Sequence, residues 1–153
     1  MALRSIRMEE DPILRKQSRK VEKFDERLQI LIDDMFETMY DANGVGLAGV
    51  QIGVLKQVIV IDTGEPGEKL VLINPEIVAS SGEQKTPEGC LSLPGRCGIV
   101  ERPEEVTIRA LDRTGEEYTK TGTGLLAKAF CHEIDHLSGI LFTDKMIEEV
   151  DVE

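Results

Sequence analysis

The chain has 153 residues, 41% of them apolar, no Trp, and a formal charge of −11. That length suffices for one ordinary domain with a real core, and the acidity argues against unaided binding to nucleic acid or to an anionic membrane. No run suits a signal peptide or a membrane span, so a cytoplasmic location is expected, and three cysteines in a reducing compartment read as thiols or metal ligands rather than as a disulfide framework.

Near the start, Asp11-Pro12 marks a turn that leads into basic, non-periodic sequence as far as Lys23, where a short helix or irregular coil is expected. Asp25 is a good N-cap. After it Leu28, Leu31, Ile32, Met35, Phe36 and Met39 recur at spacings of three and four, which predicts an amphipathic helix ending at Asn43-Gly44. The next segment, GVGLAGVQIG (residues 44–53), matches GxGxxG at Gly44, Gly46 and Gly49. The dinucleotide fingerprint needs a strand before it and a helix after it, whereas here a helix precedes and β-type QVIVID (57–62) follows. Bare backbone that an extended ligand can approach, with the Gln51 amide as a donor, is the reading favoured over a plain turn. From 70 to 122, alternation and β-branched residues in LVLINPEIVAS, GIVERPEEVTIRALD and EEYTKTGTG predict short antiparallel strands, with a turn at Asp112–Gly115.

Residues 124–139 predict a second helix, apolar on more than one face and therefore central, with Gly139 as its C-cap. It carries HEIDH, residues 132–136, which holds both histidines of the chain. Helical residues four apart sit about 40° apart around the axis, so His132 and His136 point the same way and can grip one metal ion. Glu133 then lies at the rim, placed to take a proton from an activated water. A catalytic metal of this kind wants a third protein ligand and an open position. The extended pattern HExxHxxGxxH is excluded, because Gly139 is present but Phe142 stands where its third histidine should be. Asp144, Glu148 and Glu149 follow too closely for a second ligand-bearing helix to return, although they are not dismissed. Upstream, Cys90 sits in an apolar, strand-like context within TPEGCLSLPGRCGIV (86–100), and Cys97 follows after six residues. Cys131 points about 100° away from His132 and reads as a packed thiol. A closed zinc site of Cys90, Cys97, His132 and His136 is the non-enzyme alternative; the wide cysteine spacing and the glutamate beside the first histidine speak against it.

Three segments, GVGLAGVQ, EGCLS and HEIDH, resemble in order and separation the three motifs of the peptide deformylase family. DPILR, VERPEEVTIRALDRTG and HLSGILFTD extend the likeness over nearly the whole chain. The resemblance implies an α+β fold with antiparallel β-sheets packed around a central HExxH-bearing helix and an N-terminal amphipathic helix, all in a single catalytic metallohydrolase domain over residues 1–153. It implies removal of the N-formyl group from the formylmethionine of newly made polypeptides, releasing formate, in a cytoplasm of bacterial or organellar type. One divalent metal is implied, ferrous iron foremost with zinc, nickel or cobalt able to replace it, held by Cys90, His132 and His136. Glu133 would be general base and acid, and Gln51 with the backbone N–H of Leu91 would hold the oxyanion. Val45, Gly46 and Gly89 would pair with the substrate backbone, and Leu125 and Ala129 would help line the methionine pocket. An HExxH-type metallopeptidase is the enzymatic alternative.

Two departures from the family pattern, Gly49-Val50 and Cys131, touch no inferred ligand. Work on nascent chains implies transient proximity to the ribosome, but the acidic tail MIEEVDVE offers no basic anchor to ribosomal RNA, and no direct nucleic-acid or membrane contact is expected. From the oxyanion role, Gln51→Ala is expected to lower turnover with little loss of stability.

Overall fold

The cap at Asp25 forms as its side chain suggests, with Oδ1 accepting the Leu28 N–H at 3.0 Å, and helix α1 runs Glu26–Asp41. The structure is a computed structural model that describes residues 2–151. Ahead of α1, the Asp11 side chain accepts the Ile13 N–H and starts a single 3-10 turn, Pro12–Arg15. Eight strands are found among the described residues: β1 (Gly46–Ala48), β2 (Val58–Asp62), β3 (Lys69–Ser81), β4 (Gln84–Cys90), β5 (Leu93–Arg102), β6 (Glu105–Leu111), β7 (Glu117–Thr123) and β8 (Met146–Val150). Helix α2, Gly124–Leu137, lies between β7 and β8 in the chain.

The strands form a five-stranded sheet in the order β1-β2-β3-β6-β7 and a three-stranded sheet in the order β4-β5-β8. All of these pairings are antiparallel. Strand β2 explains how two helices share the larger sheet. Its side chains alternate, so Val58 and Val60 pack with Leu31, Ile32, Met35 and Met39 of α1, while Ile59 and Ile61 pack with Leu126, Ala127 and Phe130 of α2. Both faces are buried, which is why this strand reads as an unbroken apolar run. Each such side chain contributes about 1.5–3 kcal/mol on burial. A third cluster of Leu14, Leu93, Val100, Leu141 and Phe142 fills the space beside the smaller sheet. Helix α2 therefore touches β1, β2, β5, β6 and β7, the central position that its apolar faces require.

The α+β architecture matches expectation, with two differences in detail. Strands β3 and β5, at 13 and 10 residues, are longer than the short strands expected. Strand β3 stays in the sheet through register shifts at Ile73/Glu76 and Ile77/Ala79. Asn74, with φ of 51°, sits at the first of them, and its side chain accepts the Val21 N–H and donates to the Val21 carbonyl. The acidic tail also forms an edge strand, β8, which pairs Cys97 with Val150 and Ile99 with Glu148. No helix among the described residues is long and apolar enough to cross a membrane.

Candidate active site

Strand β4 ends at Cys90, and α2 presents His132 and His136 one turn apart. One ligand atom from each of the three lies within 4.8 Å of the others, and Cys90 Sγ stands 3.4 Å from His136 Nε2. The α-helical spacing provides the two imidazoles, and the β4–β5 hairpin brings the thiol to them. The site is buried at its base, with His136 only 1% exposed, while Cys90 is half-buried and faces the cleft. Burial, reinforced by the neighbouring His132, pushes the His136 imidazole well below its ordinary pKa, which keeps it neutral and able to ligate. A soft thiolate with two imidazoles is a donor set that suits a transition-metal dication, and the three-sided arrangement leaves room for a further ligand from the cleft.

His132 is oriented from behind. Its Nδ1 lies 2.9 Å from Glu88 Oε1, so this nitrogen donates to the carboxylate and Nε2 is left to act as ligand. Burial raises the Glu88 carboxyl, but hydrogen bonds from His132 and Arg102 outweigh it and hold the group at about 2. Arg102 donates to both Glu88 oxygens, at 2.9 and 3.0 Å, and to Asp135 Oδ2 at 2.8 Å. Lys145 approaches Asp135 at 3.1 Å, so a chain of alternating charges runs from the surface to the imidazole.

Glu133 is 5% exposed, and its Oε2 lies 4.0 Å from His132 Nε2. Its other oxygen, Oε1, is buried without a hydrogen-bond partner. Burial pushes this carboxyl up to about 7. Gln51 follows β1 in a second 3-10 turn, Gly49–Ile52, and is 1% exposed. Its Oε1 accepts the Ala48 N–H at 2.9 Å, and its Nε2 donates to Ser92 Oγ at 3.1 Å and approaches Cys90 Sγ at 3.5 Å. The amide is thereby fixed with its N–H side toward the thiol.

A cleft of about 450 Å³ opens over these groups, lined on one wall by Val45 and Gly46, on another by Gly89, Cys90 and Leu91, and on the helix side by Leu125, His132 and Glu133. Every site residue expected from the sequence reaches this region except Ala129. Ala129 is 5% exposed, packs in the core with Leu126 and Phe130, and does not line the cleft. Among the described residues the cysteine–histidine group excludes Cys97, which sits midway along β5, across from Val150 of β8. Asp144 is bound to Arg15 and Glu149 to Arg96, so neither joins the group. Cys131 is a packed core thiol. The dinucleotide match is likewise empty, since β1 and a 3-10 turn occupy the place of the required helix. The residues that sequence reasoning missed are Glu88, Arg102, Asp135 and Ser92. Only Glu88 left a local signal, a carboxylate two residues before Cys90.

The sequence profile of the polypeptide deformylase family matches residues 3–151. A peptide deformylase of Alkaliphilus metalliredigens is 60% identical over 149 residues, covering 97% of this chain and 100% of the relative. One of Acetivibrio thermocellus is 60% identical over 151 residues, covering 99% and 88%. In structure, the chain superposes on a Legionella pneumophila peptide deformylase with a TM-score of 0.92 at 54% identity, covering 95% of this chain and 86% of that one. A Synechococcus elongatus peptide deformylase in complex with actinonin gives 0.89 at 43% identity, covering 93% and 78%.

Proposed function

Because the chain belongs to the polypeptide deformylase family, we infer that it hydrolyses the N-formyl group from the formylmethionine of newly made polypeptides and releases formate, as one catalytic domain over residues 1–153. The observation that carries this reading is the convergence of Cys90, His132 and His136 within 4.8 Å, beside the buried Glu133 carboxyl and beneath a cleft that reaches the edge strand β1.

In this reading Cys90, His132 and His136 hold one divalent ion, with ferrous iron the first choice and zinc, nickel or cobalt able to replace it. When bound, the ion supplies Lewis acidity to the attacking water and to the formyl oxygen. Glu133 accepts the proton of that water at a carboxylate oxygen and later passes it to the leaving amine. Burial, which raises the Glu133 carboxyl above its ordinary range, favours a group that must both take and give a proton. The Gln51 amide and the Leu91 backbone N–H donate to the oxygen that gains charge as water adds to the formyl carbon. Gln51 is suited to this because its orientation is set in advance by Ala48 and Ser92. Val45, Gly46 and Gly89 pair with the substrate backbone as an added strand, Leu125 borders the methionine side chain, and Ala129 packs on the core side of that wall. Action on nascent chains brings the protein into transient proximity to the ribosome. The test is formate release from a formyl-Met peptide by protein purified without oxygen and loaded with iron. Absence of release from iron-, nickel- and zinc-loaded protein alike would overturn the reading.

A further inference from the structure

Among the described residues, one positive charge in the cleft is left without a counter-charge. Lys128 lies on α2 one turn before His132 and lines the cleft with Leu125, three residues earlier on the same helix face. Its Nζ donates to Thr86 Oγ1 and to the Pro87 carbonyl, each at 3.1 Å, both neutral acceptors. Of the other charged residues of the cleft, Arg96 is held by Glu9 and Glu149 and Glu88 by Arg102, while the Glu133 carboxyl is buried at the base beside His132. Among the described residues no carboxylate lies within salt-bridge distance of Lys128. Its two bonds pin the ammonium between α2 and β4, so the charge is fixed at the wall beside Gly89, where the substrate backbone would run.

We propose that Lys128 is a specificity-determining residue whose ammonium selects formyl-Met peptides with an acidic side chain in the first positions after the methionine. This deepens the deformylase reading and rests on it. The whole chain carries −11, which disfavours any acidic peptide at long range, so the preference depends on where the acid sits and not on peptide charge. A pinned ammonium meeting a carboxylate at the wet edge of a cleft gives an effect of about three- to tenfold in kcat/KM.

The experiment uses metal-loaded protein and C-terminally amidated hexapeptides of equal charge: formyl-Met-Asp-Ala-Ala-Ala-Ala, formyl-Met-Ala-Asp-Ala-Ala-Ala and formyl-Met-Ala-Ala-Ala-Ala-Asp. The better of the two proximal-acid peptides should exceed the distal one about three- to tenfold, mainly through KM. The ratio should persist in Lys128→Arg and fall to about one in Lys128→Gln and in Lys128→Met, which keeps the apolar stem. A ratio of one in the unaltered protein, or a preference that survives Lys128→Met, would overturn the proposal. So would equal losses on all three peptides in the uncharged variants, which would make Lys128 only a strut between α2 and β4. Failure of the unaltered protein on every formyl peptide would instead sink the deformylase reading and this proposal with it.

Discussion

An ideal Cβ on Gly46 would lie 2.7 Å from Oε2 of Glu133 and 3.0 Å from its Cγ. The edge strand β1 and the HEIDH helix can approach this closely only because residue 46 has no side chain. Gly46→Ala should therefore displace the Glu133 carboxyl while leaving Cys90, His132 and His136 in place. Misplacement of a catalytic group by about 1 Å can cost a hundredfold, so kcat/KM should fall by about ten- to a hundredfold with metal content unchanged. Glu133→Ala sets the floor for this comparison, since loss of the proposed general base should cost about a hundred- to ten-thousandfold with the metal retained. Full activity in a metal-replete Glu133→Ala protein would remove Glu133 from the chemistry, and unaltered kinetics in Gly46→Ala would show that the contact does not set its position.

Gln51 gives a prediction that differs from the one drawn from sequence alone. There, the residue sits in a glycine-rich segment and reads as replaceable with little loss of stability. In the fold it is 1% exposed and its amide bonds Ala48 and Ser92, so Gln51→Ala leaves a buried N–H and a buried hydroxyl with a lost partner. Each such group costs about 1–3 kcal/mol. Thermal unfolding should show a lowered Tm, and turnover should fall by roughly a hundredfold or more. Gln51→Glu separates the two effects, because its carboxylate can still accept from Ala48 but has no N–H to donate. A variant that regains Tm and turnover together would mark Gln51 as purely structural.

What the sequence made legible is what is local. The three-and-four spacing and the Asp25 cap place α1, and helical geometry alone puts His132 and His136 on one side of α2. The choice between Cys90 and Cys97 is not local, because it depends on how β4 and β5 pair and on which end of the hairpin meets α2. Arg102 and Glu88 are 14 residues apart and meet through that same pairing, which sets Gln84 against Arg102 and Glu88 against Gly98. Strand β8 escaped notice because an edge strand needs no buried alternation, and its Ile147 is 60% exposed. The length of β3 was hidden by its register shifts, which break the period of two.

If Cys90, His132 and His136 hold the metal as proposed, the Arg102 network should make its affinity sensitive to a residue that touches none of the three. Arg102 is 4% exposed and compensates both Glu88 and Asp135. Removing one member of a buried ionic group costs about 3–5 kcal/mol, so Arg102→Met should lower Tm sharply. Lys145 still reaches Asp135, which leaves Glu88 as the group most exposed to the loss. Glu88→Gln is the milder test, since an amide oxygen can still accept from His132 Nδ1 but carries no charge. Competition with a chelator should show affinity weaker by about ten- to a hundredfold. Unchanged affinity in Glu88→Gln would mean that the carboxylate orients nothing.

The last prediction concerns the ligand set and the ion together. Cys90 supplies the sulfur of the proposed metal group, whereas Cys97 and Cys131 lie outside it, so Cys90→Ser should abolish tight binding while Cys97→Ser and Cys131→Ser each retain one metal per chain. A closed zinc site would instead lose its ion with either Cys90 or Cys97. The same sulfur is half-buried and lines the cleft, so dissolved oxygen can reach it and the ion beside it. A ferrous centre reacts with oxygen, and its thiolate ligand is then open to oxidation; nickel and zinc forms lack that route. Activity of iron-loaded protein should therefore decay in air and persist without oxygen, while nickel- and zinc-loaded protein keep theirs in both. Mass spectrometry should find added oxygen on Cys90 of the inactivated iron form, with buried Cys131 unmodified. Equal lifetimes for the three ions would argue against ferrous iron as the working metal, and full metal retention by Cys90→Ser would overturn the ligand assignment.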